Sequence, residues 1–252
     1  MKTFKKDKLT VQQYPSRQEM GKAAADAVAA KMNELLREKE YINVIFASAP
    51  SQNEFLEHLR QLPVPFDRIN AFHMDEYVGL HPDAPQGFGN FLKDRLFSYH
   101  SFRSVHYING NHPDPQAECE RYAQLLTALP TDIVLLGIGE NTHLAFNDPH
   151  VAFFDDPEIV KVVDLDAACR YQQVNDGCFP TLEEVPTHAI TITIPPLIRS
   201  TYAYAIVPGP AKAQAIFHTL TEAVQENYPS TKLREHDHVI LFIDDNSASK
   251  LP

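Results

Sequence analysis

Apolar residues follow two rhythms along this 252-residue chain. Between residues 16 and 37, Met20, Ala24, Val28, Met32, Leu35 and Leu36 recur at three- and four-residue steps, which predicts a helix with one buried face. Short unbroken apolar runs follow the second rhythm and mark strands covered on both faces. They fall at 42–47, 68–72, 133–136, 189–194, 202–207 and 239–243. Helical patterns lie between them at 52–60, 89–97, 115–129 (with proline in its first turn) and 211–225. Strands alternating with helices predict an α/β chain, a modified Rossmann-like three-layer fold around a central, mostly parallel sheet. No linker, repeat or low-complexity tract interrupts the pattern, so residues 1–252 read as a single domain. The least regular stretch, 150–186, reads as a lid or excursion.

In open α/β sheets ligands gather beyond the C-terminal ends of the strands. Two segments there carry chemistry. Met74-Asp75-Glu76-Tyr77-Val78-Gly79-Leu80 follows one apolar run, and Gly137-Ile138-Gly139-Glu140-Asn141-Thr142-His143-Leu144-Ala145-Phe146-Asn147-Asp148-Pro149 follows another. A histidine between an amide and a carboxylate points to acid–base work.

Composition narrows the classes. The hydrophobic share of 44% supplies an ordinary globular core. A formal net charge of -11 argues against a nucleic-acid partner, which needs a basic footprint, yet a local cluster of cations and N–H groups could still hold a phosphate. No apolar stretch approaches a membrane span and the first residues lack the apolar core of a signal peptide, so a cytoplasmic protein with no membrane partner is expected. Cys119, Cys169 and Cys178 fit no metal or redox spacing, and the twelve histidines show no H-E-x-x-H pair. We expect no metal and no cofactor.

The two loop segments also carry a family resemblance. Phe72-His73-Met74-Asp75-Glu76-Tyr77-Val78-Gly79-Leu80, with Gly137-Ile138-Gly139 leading to His143-Leu144-Ala145-Phe146-Asn147-Asp148-Pro149, resembles the glucosamine-6-phosphate deaminase (isomerase) family. Ile108-Asn109-Gly110-Asn111, Ala117-Glu118-Cys119 with Tyr122, and Gly209 with Lys212-Ala213 are similar too, in order from about residue 40 onward. The resemblance implies a sugar-phosphate aldose–ketose isomerisation coupled to loss of ammonia, with glucosamine 6-phosphate or a related amino-sugar phosphate as substrate. It implies Asp75 as the proton-shuttling base and His143 as the ring-opening group. Asn141 and Asp148 fall in the relay that polarises that histidine. Ser48, Ser51, Gln52, Lys212 and Arg170 fall where the family contacts phosphate and substrate. Glu76 reads as an orienting residue and Tyr77 as packing, neither of them catalytic.

Two departures stand out. The family carries aspartate and glycine immediately before the histidine, where this chain has Asn141 and Thr142, and a later glutamate is Asp148. The relay thus loses one carboxylate and shortens the other, which implies reduced ring opening. The phosphate loop, glycine-rich in the family, is Ser48-Ala49-Pro50-Ser51-Gln52-Asn53 here. Pro50 has no N–H to donate, so the hydroxyls and the following helix N-terminus must supply the anion contacts. Two alternatives stay open: the same fold acting on another sugar phosphate or a lactone, as in the related 6-phosphogluconolactonases, and a sugar-phosphate-binding paralogue without turnover. A homo-oligomer is compatible with either.

Overall fold

The computed structural model describes residues 1–252. A hairpin of β1 (Lys2–Lys6) and β2 (Leu9–Tyr14) leads into α1 (Arg17–Glu38). Then come β3 (Ile42–Phe46), α2 (Asn53–Leu59), β4 (Ile69–His73), β5 (Asp75–Tyr77), α3 (Phe88–Arg95) and β6 (Ser104–His106). After them run α4 (Pro115–Ala128), β7 (Ile133–Leu136), β8 (Val160–Asp164) and α5 (Ala167–Asn175). The chain closes with β9 (His188–Ile192), α6 (Ile194–Ile198), β10 (Tyr202–Val207), α7 (Ala213–Thr221) and β11 (Val239–Asp244).

Eight strands form the main sheet in the order β1-β2-β11-β10-β7-β3-β4-β6. Only β1 runs antiparallel; every other neighbouring pair is parallel. Strand order reverses between β3 and β7, because β3, β4 and β6 progress to one side while β7, β10 and β11 progress to the other. Such a reversal opens a crevice at the strands' C-terminal ends.

Alternation along β7 shows how the layers assemble. Val134 and Leu136 face a core shared with Tyr122 and Leu126 of α4 and with Ala215 and Ile216 of α7. Ile133 and Leu135 face the opposite core, with Met20, Ala24, Val28 and Met32 of α1 and Phe55 and Leu59 of α2. The regular spacing of α1 is therefore one buried stripe. Its start is fixed by Ser16, whose hydroxyl accepts from the Glu19 N–H at 3.2 Å.

Some elements differ from the sequence reading. Residues 189–194 do not extend the parallel sheet; β9 is the middle strand of a second, antiparallel sheet, β5-β9-β8. The stretch 150–186 is no irregular excursion, for β8 and α5 lie within it. It packs through a third core in which Tyr77, Phe88, Phe146 and Phe179 meet in tilted and edge-on pairs with ring centroids 4.9–5.5 Å apart. The last helix stops at Thr221. The hairpin gave no signal because β1 is exposed along nearly its whole length.

Tyr122 pins the strand end that leads into the site. Its hydroxyl donates to the His73 carbonyl at 2.8 Å and accepts from the His73 N–H at 3.2 Å. Replacing it with phenylalanine strands a buried N–H, so Tyr122→Phe should lower unfolding free energy by about 1–3 kcal/mol. Guanidinium denaturation with an unchanged m-value is the check; an unshifted midpoint would show that water or a rearranged carbonyl replaces the hydroxyl.

Candidate active site

Four adjacent strands, β10, β7, β3 and β4, deliver their C-terminal loops to one cleft. Ser48, Ser51, Asp75, Gly137, Gly139, His143 and Lys212 all line it, together with Gln172 and Gln173. A larger cavity of about 240 Å³ lies nearby, lined by Glu76, Lys93, Tyr107 and Asn109. Its one carboxylate is already saturated: Glu76 accepts from the N–H groups of Tyr77, Phe88 and Gly89 at 2.9–3.1 Å. Glu76 therefore fastens the start of α3 beside the site. Tyr77 packs in the aromatic core, as the sequence suggested.

Asp75 sits where the two sheets meet. It is the first residue of β5 and pairs with Thr191, while the preceding Met74 carbonyl accepts from the Ile192 N–H at 2.8 Å. Its carboxylate opens on the cleft and is otherwise buried. Burial, helped by the neighbouring charge of Glu76, pushes the carboxyl well above the usual range. Next to it His73 is fully buried and accepts from the Ile108 N–H at 2.8 Å through Nε2. Burial lowers this imidazole to about 4, so it stays neutral and serves as an acceptor.

His143 lies on a tightly wound loop. An added Cβ at Gly139 would fall 2.2 Å from the His143 ring, so only glycine leaves room for the imidazole. Thr142 and Ala145, on either side of His143, adopt positive φ values of 71° and 51°. Thr142 thus occupies the backbone conformation that glycine prefers. The loop is held by Gly139 N–H to His143 C=O at 3.0 Å, and by Asn147, whose amide donates to the carbonyls of Leu144 and Ile192.

The relay is shorter on paper than in space. Asp148 Oδ1 lies 3.1 Å from His143 Nδ1, a close polar contact that falls short of an aligned hydrogen bond. The wound loop brings the aspartate within reach, so the missing methylene leaves no gap. Asn141 does not touch the ring. Its amide donates to Asp148 Oδ1 at 2.9 Å and to Asp166 Oδ2 at 3.0 Å, and its carbonyl accepts from the His143 N–H. Burial pushes Asp148 up, but His143, Asn141 and the Asp166 N–H outweigh it and hold the carboxyl below its usual value.

Ser48 presents a buried hydroxyl with no partner to the cleft. Ser51 also lines it and accepts from the Gln52 amide at 3.1 Å. Gln52 itself turns inward to the Ile206 carbonyl and supports the loop from behind. The turn after β3 is a short 3-10 helix over Pro50–Gln52. Lys212 reaches the cleft because Gly209, at φ 93°, reverses the chain after β10. The lysine is buried and its ammonium has no ion pair; burial lowers its pKa.

Arg170 is not brought to the cleft. Its guanidinium donates to the Leu182 and Val185 carbonyls at 2.6 and 2.9 Å. Two residues further on, Gln172 and Gln173 face the cleft instead, and the Gln172 carbonyl accepts from the Glu140 N–H at 2.8 Å. Sequence reasoning missed both glutamines and Asp166. The Asp166 N-cap, whose carboxylate accepts from the Cys169 N–H, was the signal that a helix starts there.

His143, Asp148 and Cys169 bring donor atoms within 4.8 Å of one another. Burial and the charges of Asp148 and Asp166 push the Cys169 thiol well up, and both Asp148 oxygens already have protein partners. This set suits a proton relay better than a metal cage.

A desolvated carboxylate, a carboxylate-backed imidazole and a lone buried ammonium around one switch-point crevice define an acid–base enzyme site for a small anionic substrate. Residues 15–241 match the family described as glucosamine-6-phosphate isomerases/6-phosphogluconolactonase, and the chain belongs to that family. It is 36% identical over 182 residues to a glucosamine-6-phosphate deaminase of Exiguobacterium sp., covering 72% of this chain and 70% of that one. A glucosamine-6-phosphate deaminase of Streptococcus pyogenes serotype M1 is 33% identical over 205 residues, covering 81% and 86%. Among solved structures, a monomeric glucosamine-6-phosphate deaminase superposes with a TM-score of 0.87 at 31% identity, covering 95% and 98%. A 6-phosphogluconolactonase from Thermotoga maritima, 21% identical, shares the fold with a TM-score of 0.77, covering 94% and 99%.

The raised Asp75 pKa has a stability consequence. Between the unfolded and folded values the native state holds the extra proton, so stability falls as pH rises through that window. Asp75→Asn should therefore raise the melting temperature, and by more at pH 8 than at pH 4. Thermal melts at both pH values are the check; an equal shift at the two would mean burial does not strain this carboxylate.

Proposed function

We propose that the chain deaminates glucosamine 6-phosphate, or a closely related amino-sugar phosphate, to the ketose phosphate and ammonia. The observation carrying this reading is the convergence of Asp75 and His143 on a cleft that Lys212, free of any ion pair, also lines. Residues 1–252 would act as one cytoplasmic sugar-phosphate domain.

The steps follow from the groups. Lys212 and the hydroxyls of Ser48 and Ser51 hold the phosphate, which restores to the buried ammonium the counter-charge it lacks. His143, steadied by Asp148, takes the proton of the C1 hydroxyl and gives it to the ring oxygen as the ring C–O bond breaks, leaving the open-chain aldehyde. Asp75 then removes the C2 proton while the C1 carbonyl oxygen gains one from water, giving an enolamine, and returns its own proton to C1. The resulting C2 iminium adds water and expels ammonia, leaving the ketone. A carboxylate with a raised pKa suits this shuttle because it both accepts and releases a carbon-bound proton near neutral pH. The relay distance supports ring opening by the cyclic sugar, in contrast to the reduced step implied by the altered relay sequence.

Ammonia release from glucosamine 6-phosphate, run beside 6-phosphogluconolactone hydrolysis, tests the reading. Ammonia release should dominate. Lactone hydrolysis alone would move the chain to the lactonase branch, and ligand binding without either reaction would make it a binding paralogue. Asp75→Asn should cut solvent-deuterium incorporation at C2 by about 10²–10⁴-fold. Undiminished exchange would place the base elsewhere.

Lys212→Ala should weaken a phosphorylated sugar far more than its unphosphorylated analogue, because only the former needs the ammonium. Calorimetry on both ligands is the measurement. Equal weakening would remove Lys212 from the phosphate role and leave it a packing residue.

A further inference from the structure

Asp166 lies outside the motifs that carry the family resemblance, yet it closes the network behind His143. Its Oδ2 accepts from the Asn141 amide at 3.0 Å, and its own N–H donates to Asp148 Oδ2 at 3.1 Å. Its second oxygen accepts from the Cys169 N–H at 2.6 Å and starts α5. The same Asn141 amide donates to Asp148 Oδ1, the oxygen that faces the imidazole. One side chain thus ties the His143 loop to the helix that presents Gln172 and Gln173 to the cleft.

We infer that Asp166 is a positioning residue for the deamination: it supplies, from α5, the carboxylate absent at position 141, and it makes an amide there the correct partner. The argument rests on hydrogen-bond polarity. Asn141 stands between two carboxylates and gives each an N–H. An aspartate at 141 would remove both donors and set three carboxylates together, which low-dielectric surroundings penalise. An asparagine at 166 would set an amide N–H group against the Asn141 amide, or force one of them to turn away from its other partner. Exchanging both residues restores one donor and one acceptor across the gap. The substitution of Asn141 for the family aspartate is then a relocation of charge rather than a loss of it.

This inference rests on the deaminase reading, and the test separates the two. Asn141→Asp and Asp166→Asn should each lower kcat about tenfold or more, while the double exchange recovers most of the loss, a coupling typical of residues sharing one hydrogen-bond network. Asp166→Ser keeps a cap for the Cys169 N–H but cannot reach Asn141, so it too should lose kcat while melting near the parent temperature. Imidazole ¹⁵N signals of His143 report the same contact without turnover and should move in Asp166→Ser. Parental kcat and unmoved His143 signals in Asp166→Ser, or strictly additive losses in the double exchange, would overturn the inference. Absent ammonia release by the parent protein, with His143 signals that still shift, would instead fault the choice of reaction and leave the positioning role standing.

Discussion

Between His73 and Asp75 the chain passes from one sheet to another through a single residue, Met74. On the near side the strand is locked in the parallel register, with Phe46 opposite His73; on the far side Asp75 is locked against Thr191. The backbone carrying this carboxylate is bonded on both sides, which keeps the side chain at the cleft and largely out of water. Its raised pKa follows from that confinement, since no hydrogen bond or cation relieves the buried charge. The neighbouring devices serve the same junction. Tyr122 and neutral His73 hold it from behind, and an added Cβ at Gly110 would fall 1.9 Å from the Tyr77 carbonyl, so only glycine lets that loop close over β5.

The five inner strands of the main sheet, β11, β10, β7, β3 and β4, were legible because they are buried on both faces and read as apolar runs, whereas the flanking β1, β2 and β6 were not. That Asp75, His143, Ser48, Ser51 and Lys212 share one cleft was legible for a related reason, since each follows such a run at the edge where α/β crevices form. The second sheet was not. β5 is Asp-Glu-Tyr, three residues with no apolar rhythm, and it exists only because β9, more than a hundred positions away, pairs with it. β8 contains Lys161, a poor sign of a buried strand. In the fold its ammonium finds Asp156 at 2.6 Å and the Val151 carbonyl at 2.7 Å, and burial becomes tolerable. Arg170 misled for the converse reason: nearby carbonyls occupy its guanidinium, and helical geometry turns the glutamines to the cleft.

On the proposed reading, the Lys212 end of the cleft explains how a chain of net charge -11 receives a phosphate. Long-range attraction is of no help here, so recognition must be local. Lys212 is desolvated and has no ion pair within the fold; burial lowers its pKa, opposed by the charges of Asp176 and Glu140. A dianion beside it removes an unfavourable state of the protein as well as forming a new contact. Ser48 adds to this, because its buried hydroxyl lacks any partner in the fold. The serines and the lysine can therefore substitute for a glycine-lined cradle, although Pro50 withholds one donor.

Backbone shape, more than side-chain identity, sets the relay. Two non-glycine residues in the left-handed region cost about 1–3 kcal/mol each, and such strain persists only where surroundings over-determine it. Here they do: the Ser230 N–H holds the Thr142 carbonyl, Gly139 holds the His143 carbonyl, and Asn147 bridges the loop to β9. The strained winding brings Asp148 under the imidazole despite its shorter side chain, and it turns Asn141 toward α5 instead of the ring. A relay judged from residue types alone looks weakened by an amide and a missing methylene. Once the loop is wound as it is, the amide becomes the one donor that lets Asp148 and Asp166 lie close together as carboxylates, and the histidine keeps a negatively charged neighbour.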